Sequence, residues 1–121
     1  MKRRTFRRLR NLAGENHHHY VYVVLLAVAA SRLRKIIAAN PGRDRSKPCV
    51  YVGMTGLDPV TRFKNHKEGR KAARIVQRYG VRLLPELYET LNPMPFEAAA
   101  QMEKDLAEDL KKAGYTVTGG T

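Results

Sequence analysis

Tyr20-Val21-Tyr22-Val23-Val24-Leu25-Leu26 is an unbroken apolar run in an otherwise densely charged chain, and its reading decides the fold. β-Branched and aromatic residues dominate it, which favours a strand. In a strand Tyr20, Tyr22, Val24 and Leu26 point to one face, and Val21, Val23 and Leu25 to the other. Both faces are apolar, so the strand is expected inside a sheet with both sides covered. Extended to Ala30, the run is the longest apolar stretch present, yet it falls short of the ~20 residues that span a membrane. With the basic residues before it and Ala27-Val28-Ala29-Ala30 after it, the run also imitates a secretory leader. The long approach through His17-His18-His19 and the alternation of tyrosine with valine argue for a strand instead. No membrane partner is expected, and a cytoplasmic location is.

Downstream, residues 28–39 read as a basic helix with Leu33, Ile36 and Ile37 turned inward, ended by Asn40-Pro41-Gly42. Residues 43–47 are a charged loop and 48–53 a second strand. Asp58 is a good N-cap with Pro59 at the first helical position, and Gly69 stops that helix. A further helix is expected over about 71–78, closed by Gly80. Residues 81–88 make a third strand, broken or at an edge because Pro85 has no amide to donate. Pro95 starts a long helix that ends at Gly114, and the tail from Tyr115 is placed as a possible short edge strand. The expected class is α/β (α+β), with a small, mainly antiparallel three-stranded sheet flanked by helices. Residues 1–19 form a basic arm, and 20–121 the folded domain with a basic helical insertion at about 28–47.

Charge narrows the partner. The chain holds 23 Lys and Arg against 11 Asp and Glu, a net charge of +12. So basic a small domain concentrates polyanions, with nucleic acid ahead of anionic membrane surface. The arm alone places Lys2, Arg3, Arg4, Arg7, Arg8 and Arg10 in its first ten residues. The insertion adds Arg32, Arg34, Lys35, Arg43, Arg45 and Lys47. Both segments are expected to hold phosphate backbone. The single Cys49 excludes an internal disulfide and a cysteine zinc cluster, and fits a reducing compartment. Three adjacent histidines cannot all face one ion, so His17 to His19 read as loop. No glycine-rich phosphate loop, nucleotide fingerprint or Ser-His-Asp arrangement is present.

Four short stretches carry a chemical reading. Tyr20-Val21-Tyr22 opens the first strand and Tyr51-Val52-Gly53-Met54-Thr55 closes the second. Arg62-Phe63-Lys64-Asn65-His66 lies on the capped helix, and Phe96 to Glu103 on the long one. On the long helix, Ala99, Met102, Leu106, Leu110 and Ala113 make an apolar stripe at 100° per residue. Glu103 falls within it, while Glu97, Asp105, Glu108 and Asp109 point elsewhere. A carboxylate on a core face is costly unless an arginine pairs with it or it holds a cation such as magnesium. Arg62 and His66 are four apart and share a helix face, suited to phosphate contact or proton transfer, or simply solvated. Tyr22 and Tyr51 can meet that face, as packing residues or as chemistry, although a tyrosine pKa near 10 makes a poor base. Thr55 and Lys64 are possible phosphate contacts.

In this order, and on these elements, the four stretches resemble the GIY-YIG endonuclease family. Tyr20 stands where that family has its first glycine. The usually close halves are separated here by residues 23–50, which the basic insertion explains. The family's late asparagine has no counterpart near Val117 to Gly120. The resemblance implies a metal-dependent endonuclease hydrolysing DNA phosphodiester bonds. It implies Tyr22, Tyr51, Arg62, His66 and Glu103 as catalytic residues, with a tyrosine activating the water and Glu103 holding Mg2+ or Mn2+. Arg3, Arg4, Arg7, Arg8, Arg32, Arg34, Lys35, Thr55 and Lys64 are the expected nucleic-acid contacts. The alternative is a non-catalytic nucleic-acid-binding domain with a degenerate GIY-YIG fold.

Overall fold

The computed structural model describes residues 17–120, so the arm residues Arg3, Arg4, Arg7 and Arg8 lie outside the described residues. The apolar run forms strand β1 (Tyr20–Leu26) and pairs antiparallel along its whole length with β2 (Cys49–Thr55), from Tyr20 opposite Thr55 to Leu26 opposite Cys49. Strand β3 (Gly80–Leu83) runs antiparallel on the other edge of β1, and β4 (Thr116–Gly119) runs parallel to β2. The sheet order is β3-β1-β2-β4. The sheet therefore has four strands rather than three. The fourth is the tail beyond Tyr115, and it is parallel because a long helix carries the chain back before it pairs. Val21, Val23 and Val24 are fully buried and Tyr22 nearly so, which fits a strand with apolar residues on both faces.

Helices cover the sheet. Helix α1 (Arg34–Ala39) follows a 3-10 turn at Val28–Arg32; then come α2 (Pro59–Glu68), α3 (Arg74–Tyr79) and α4 (Phe96–Lys112). The expected single helix over 28–39 is thus broken. Leu33 is extended at the break (φ −70, ψ 135). The Ser31 hydroxyl turns back onto the Val28 carbonyl at 2.6 Å. The break rotates the inner face, so Ala30 and Ile36 are buried while Leu33 and Ile37 stay more than a third exposed. Pro85 ends β3 early and opens a 3-10 turn, Pro85–Leu87, followed by another at Glu89–Leu91. On α4 the stripe Ala99, Met102, Leu106 and Leu110 is buried, but Ala113 is exposed. Asp105, expected to point elsewhere, is buried and accepts from Gln101 Nε2 at 3.0 Å. At α2 the Asp58 carboxylate accepts from the Thr61 amide at 2.9 Å and its hydroxyl at 2.7 Å, while Gly69 (φ 83) caps the far end. Among the described residues no helix is long and apolar enough to cross a membrane.

Two asparagines stand in for strands. Asn40 Nδ2 donates to the Val117 carbonyl at 2.9 Å, and Asn40 Oδ1 accepts from the Val117 amide at 2.9 Å. The same Nδ2 donates to the Ile36 carbonyl at 2.8 Å, so one side chain ties the insertion to the outer edge of β4. Asn92 does likewise at Val21, donating to its carbonyl at 2.7 Å and accepting from its amide at 2.9 Å. The ladder with β3 reaches only Val24 to Leu26, and Asn92 seals β1 where that ladder stops. Removing such a partner leaves buried backbone groups unpaired, at about 1–3 kcal/mol each. Asn40→Ala should therefore lower the unfolding free energy by roughly 2–4 kcal/mol. Urea titration followed by circular dichroism measures it, and an unchanged midpoint would show that the clamp carries no weight.

Candidate active site

The site begins with a pair in the sheet. Tyr22 sits opposite Gly53, and Val24 opposite Tyr51, so Tyr22, Gly53 and Tyr51 share one face. A Cβ at Gly53 would lie 2.6 Å from both Cζ and Oη of Tyr22. Only the bare glycine backbone lets the Tyr22 ring fold across β2. Helix α2 packs on this face and delivers His66, which is fully buried. The ring centroids of Tyr22, Tyr51 and His66 form a triangle with sides of 6.2, 6.0 and 5.9 Å.

The hydrogen bonds have a direction. The Ala73 amide donates to His66 Nδ1 at 3.0 Å. That nitrogen is therefore the acceptor, and a neutral imidazole carries its proton on Nε2. His66 Nε2 lies 2.8 Å from the Tyr22 hydroxyl and donates to it. The Tyr22 hydrogen is left to point toward Tyr51. The chain of donors runs Ala73, His66, Tyr22, Tyr51, and it ends on the one tyrosine of the pair that is only half-buried.

Electrostatics reinforce that order. Burial, helped by the Arg62 charge, pushes His66 down to about 4, so it is neutral at pH 7. His66 is thus a fixed donor to Tyr22, not the phosphate ligand or titrating group expected from its unperturbed pKa. Burial also raises the Tyr22 hydroxyl well above the usual range, with Tyr51 adding to the rise and Arg62 opposing it. Tyr51 is raised first by burial and then by the Glu103 charge, against the pull of Arg62 and of the Tyr22 hydrogen bond. Arg62 alone does not make either tyrosine acidic. Its guanidinium donates to the Arg70 carbonyl at 3.3 Å and the Lys71 carbonyl at 3.0 Å. Lys71 holds a left-handed φ of 47° at that turn.

Glu103 and Arg62 both act on the charge of Tyr51, so both border the ring cluster of Tyr22, Tyr51 and His66. Glu103 is 8% exposed. Burial raises its carboxyl pKa, offset in part by the Met54 amide and Lys104. Among the described residues no arginine or lysine forms an ion pair with Glu103, and no three His, Cys, Asp or Glu side chains gather as metal ligands. An all-protein metal cage does not fit these residues. A hydrated magnesium held through one carboxylate does, since that ion keeps most of its waters.

Compared with family models, curated proteins and solved structures, the chain matches none of them.

The remaining expected contacts scatter. Thr55 is buried, and its hydroxyl accepts from the Leu57 amide at 3.0 Å, so it shapes a turn and offers phosphate little. Lys64 is exposed on α2. Arg32 and Lys35 line two separate depressions of about 650 and 430 Å³, and neither contains a residue of the tyrosine cluster. Arg34 is exposed between them. The Ala73 amide was not anticipated, and a backbone donor has no sequence signal. Lys67 was also missed: its Nζ donates to the Gln77 and Gly80 carbonyls, both at 2.9 Å, fastening α2 to the end of α3.

Two measurements check this geometry. Gly53→Ala forces the Tyr22 ring off β2 and should cost roughly 1–3 kcal/mol of stability, the usual penalty of overpacking. A wild-type midpoint would refute the contact. His66 binds its proton more weakly folded than unfolded. Between about pH 6.5 and about 4 the unfolded chain takes up a proton that the folded one refuses, so stability should fall as pH drops through that window. In nitrogen-resolved NMR, His66 should hold its Nε2–H form across pH 5 to 8. Titration near 6.5 would overturn the arrangement.

Proposed function

We propose that this chain is a divalent-metal-dependent endonuclease of the GIY-YIG type, acting on DNA in the cytoplasm. The observation that carries the reading is the one-way donor chain ending at Tyr51, between the Arg62 cation and the Glu103 carboxylate. Phosphodiester hydrolysis needs a base for the attacking water, charge neutralisation at the phosphate and help for the leaving oxygen. Tyr51 is the partly exposed member, so it is the group that takes the proton from water. Tyr22 donates to the Tyr51 phenolate before Tyr51 takes that proton and becomes a neutral phenol, and His66 holds Tyr22 in that orientation from behind. Arg62 has its head fixed by two carbonyls and also donates to the Tyr22 hydroxyl, and an N–H group left over would meet a phosphate oxygen. A divalent ion bound through Glu103 would neutralise charge on the phosphate and cancel the carboxylate's field at Tyr51. The net charge of +12 supplies the attraction for DNA.

A second reading rests on the raised pKa of both tyrosines. It is a binding domain that keeps the arrangement without turnover. Nicking of supercoiled and branched DNA with magnesium, manganese or EDTA separates the two. Tyr51→Phe and Arg62→Ala should each slow single-turnover cleavage by about 10²–10³ with modest loss of affinity. Glu103→Gln should abolish cleavage and leave binding largely intact. Because the phenolate fraction grows tenfold per pH unit below its pKa, the wild-type rate should climb about tenfold per unit from pH 6 to 9. A flat profile would remove Tyr51 as the base, and a wild type inert with every ion would leave the binding reading.

A further inference from the structure

The insertion between β1 and β2 builds a groove at the far end of the sheet. It has a volume of about 650 Å³, and its wall carries Arg32, Arg43, Arg45 and Lys47. Ser31, Ser46 and Thr116 border the same space, and among the described residues no carboxylate lines it. Asp44, the acid nearest in sequence, is occupied locally: its Oδ1 accepts from the Ser46 hydroxyl at 2.6 Å and the Ser46 amide at 2.9 Å. Four cations with no acid among the described residues of the wall form a site for phosphate oxygens. The depression around Lys35 differs, since Glu108 joins Lys104 and Lys111 in its lining.

The floor decides what carries the phosphates. It is made of Leu25, Leu26, Val28, Ile37 and Pro48, with Cys49. Among the described residues no aromatic ring lines the groove, so there bases of a single strand have nothing to stack on. Backbone contact to a duplex needs no stacking. The groove also stands in register with the candidate active site. Leu26 and Cys49 are opposite one another, on the strand face that bears Tyr22 and Tyr51. Tyr51 and Cys49 are two residues apart, which is about 7 Å along a strand. That span equals roughly two base pairs of duplex.

We infer that the groove walled by Arg32, Arg43, Arg45 and Lys47 grips the phosphate backbone of double-stranded DNA, about two base pairs from the phosphate held at Tyr51 and Arg62. The inference rests on the nuclease reading for the position of the cut, but the grip itself is tested by binding alone. Arg34 and Lys35, expected to share this role, take no part in the groove.

The test compares the full chain with an Arg43→Ser, Arg45→Ser double variant and with a single Arg45→Ser variant as a check on folding. Anisotropy of a labelled duplex is read across a salt series. If each cation neutralises one phosphate, the double variant should lower the slope of log affinity against log salt by roughly 2, equally for all sequences, and the single variant by roughly 1. A wild-type slope in both variants overturns the inference, and so does a loss confined to phosphatidylserine vesicles or equal on single-stranded DNA. The two readings fail separately. A wild type that binds duplex through the groove and never cuts it keeps this inference and refutes the nuclease. Cleavage with an unaltered salt slope does the reverse.

Discussion

The contact between the Tyr22 ring and the backbone of Gly53 is the constraint on which the site depends. With 2.6 Å between the ring and any Cβ placed there, residue 53 can carry no side chain unless Tyr22 moves. The approach sets where the Tyr22 hydroxyl lies. That hydroxyl sets the pose of His66, whose other nitrogen is taken by the Ala73 amide at the start of α3. Two strands, a ten-residue helix and the loop after it are thereby tied through one ring. The link is polar and buried, so it stays favourable only while every donor in it has its acceptor. Arg62 adds a second tie from the same helix to the same loop, through the Arg70 and Lys71 carbonyls.

Burial and function pull against each other at this point. Both tyrosines, the histidine and Glu103 are all driven toward their uncharged forms by desolvation. A cluster of groups so displaced is poorly stabilised when alone, and it gains most from a ligand that brings charge. Arg62 supplies one charge from within, and it lowers both tyrosines without outweighing burial. Such perturbed groups concentrated in one place are what functional sites need, although buried structural networks perturb pKa values too. The asymmetry within the pair separates the roles. Tyr22 is enclosed and already bonded, whereas Tyr51 retains an open side.

Much of this was legible in the residues. The two-faced apolar run announced a central strand, and Asp58-Pro59 with Gly69 marked both ends of α2. The shared helix face of Arg62 and His66 and the intrusion of Glu103 into an apolar stripe located the cluster. What escaped detection was set by the backbone or by distance. A helix-period pattern over 28–39 does not reveal the extended residue at Leu33 that reverses its inner face. The pairing of β4 requires knowing that Asn40, 77 residues earlier in the chain, waits at its edge. The protonation of His66 is decided by an amide that any residue at position 73 other than proline would offer. Thr55 looked like a phosphate contact because of its place in a motif, and only its burial shows that its hydroxyl serves the turn.

The insertion is also more than an appendage of charge. It carries Asn40, which completes the hydrogen bonding of Val117 on the outer edge of β4, and β4 in turn covers the edge of β2. Strand β2 holds both Gly53 and Tyr51. The segment that adds cations at one end of the sheet therefore also closes the edge that steadies the two residues beside the Tyr22 ring. A chain lengthened between the two tyrosine strands would ordinarily loosen them, since a longer loop costs entropy to close. Here the extra residues return that cost through a buried side chain bonded at three backbone groups. This accounts physically for how β1 and β2 can stand so far apart in sequence and still lie side by side in full register.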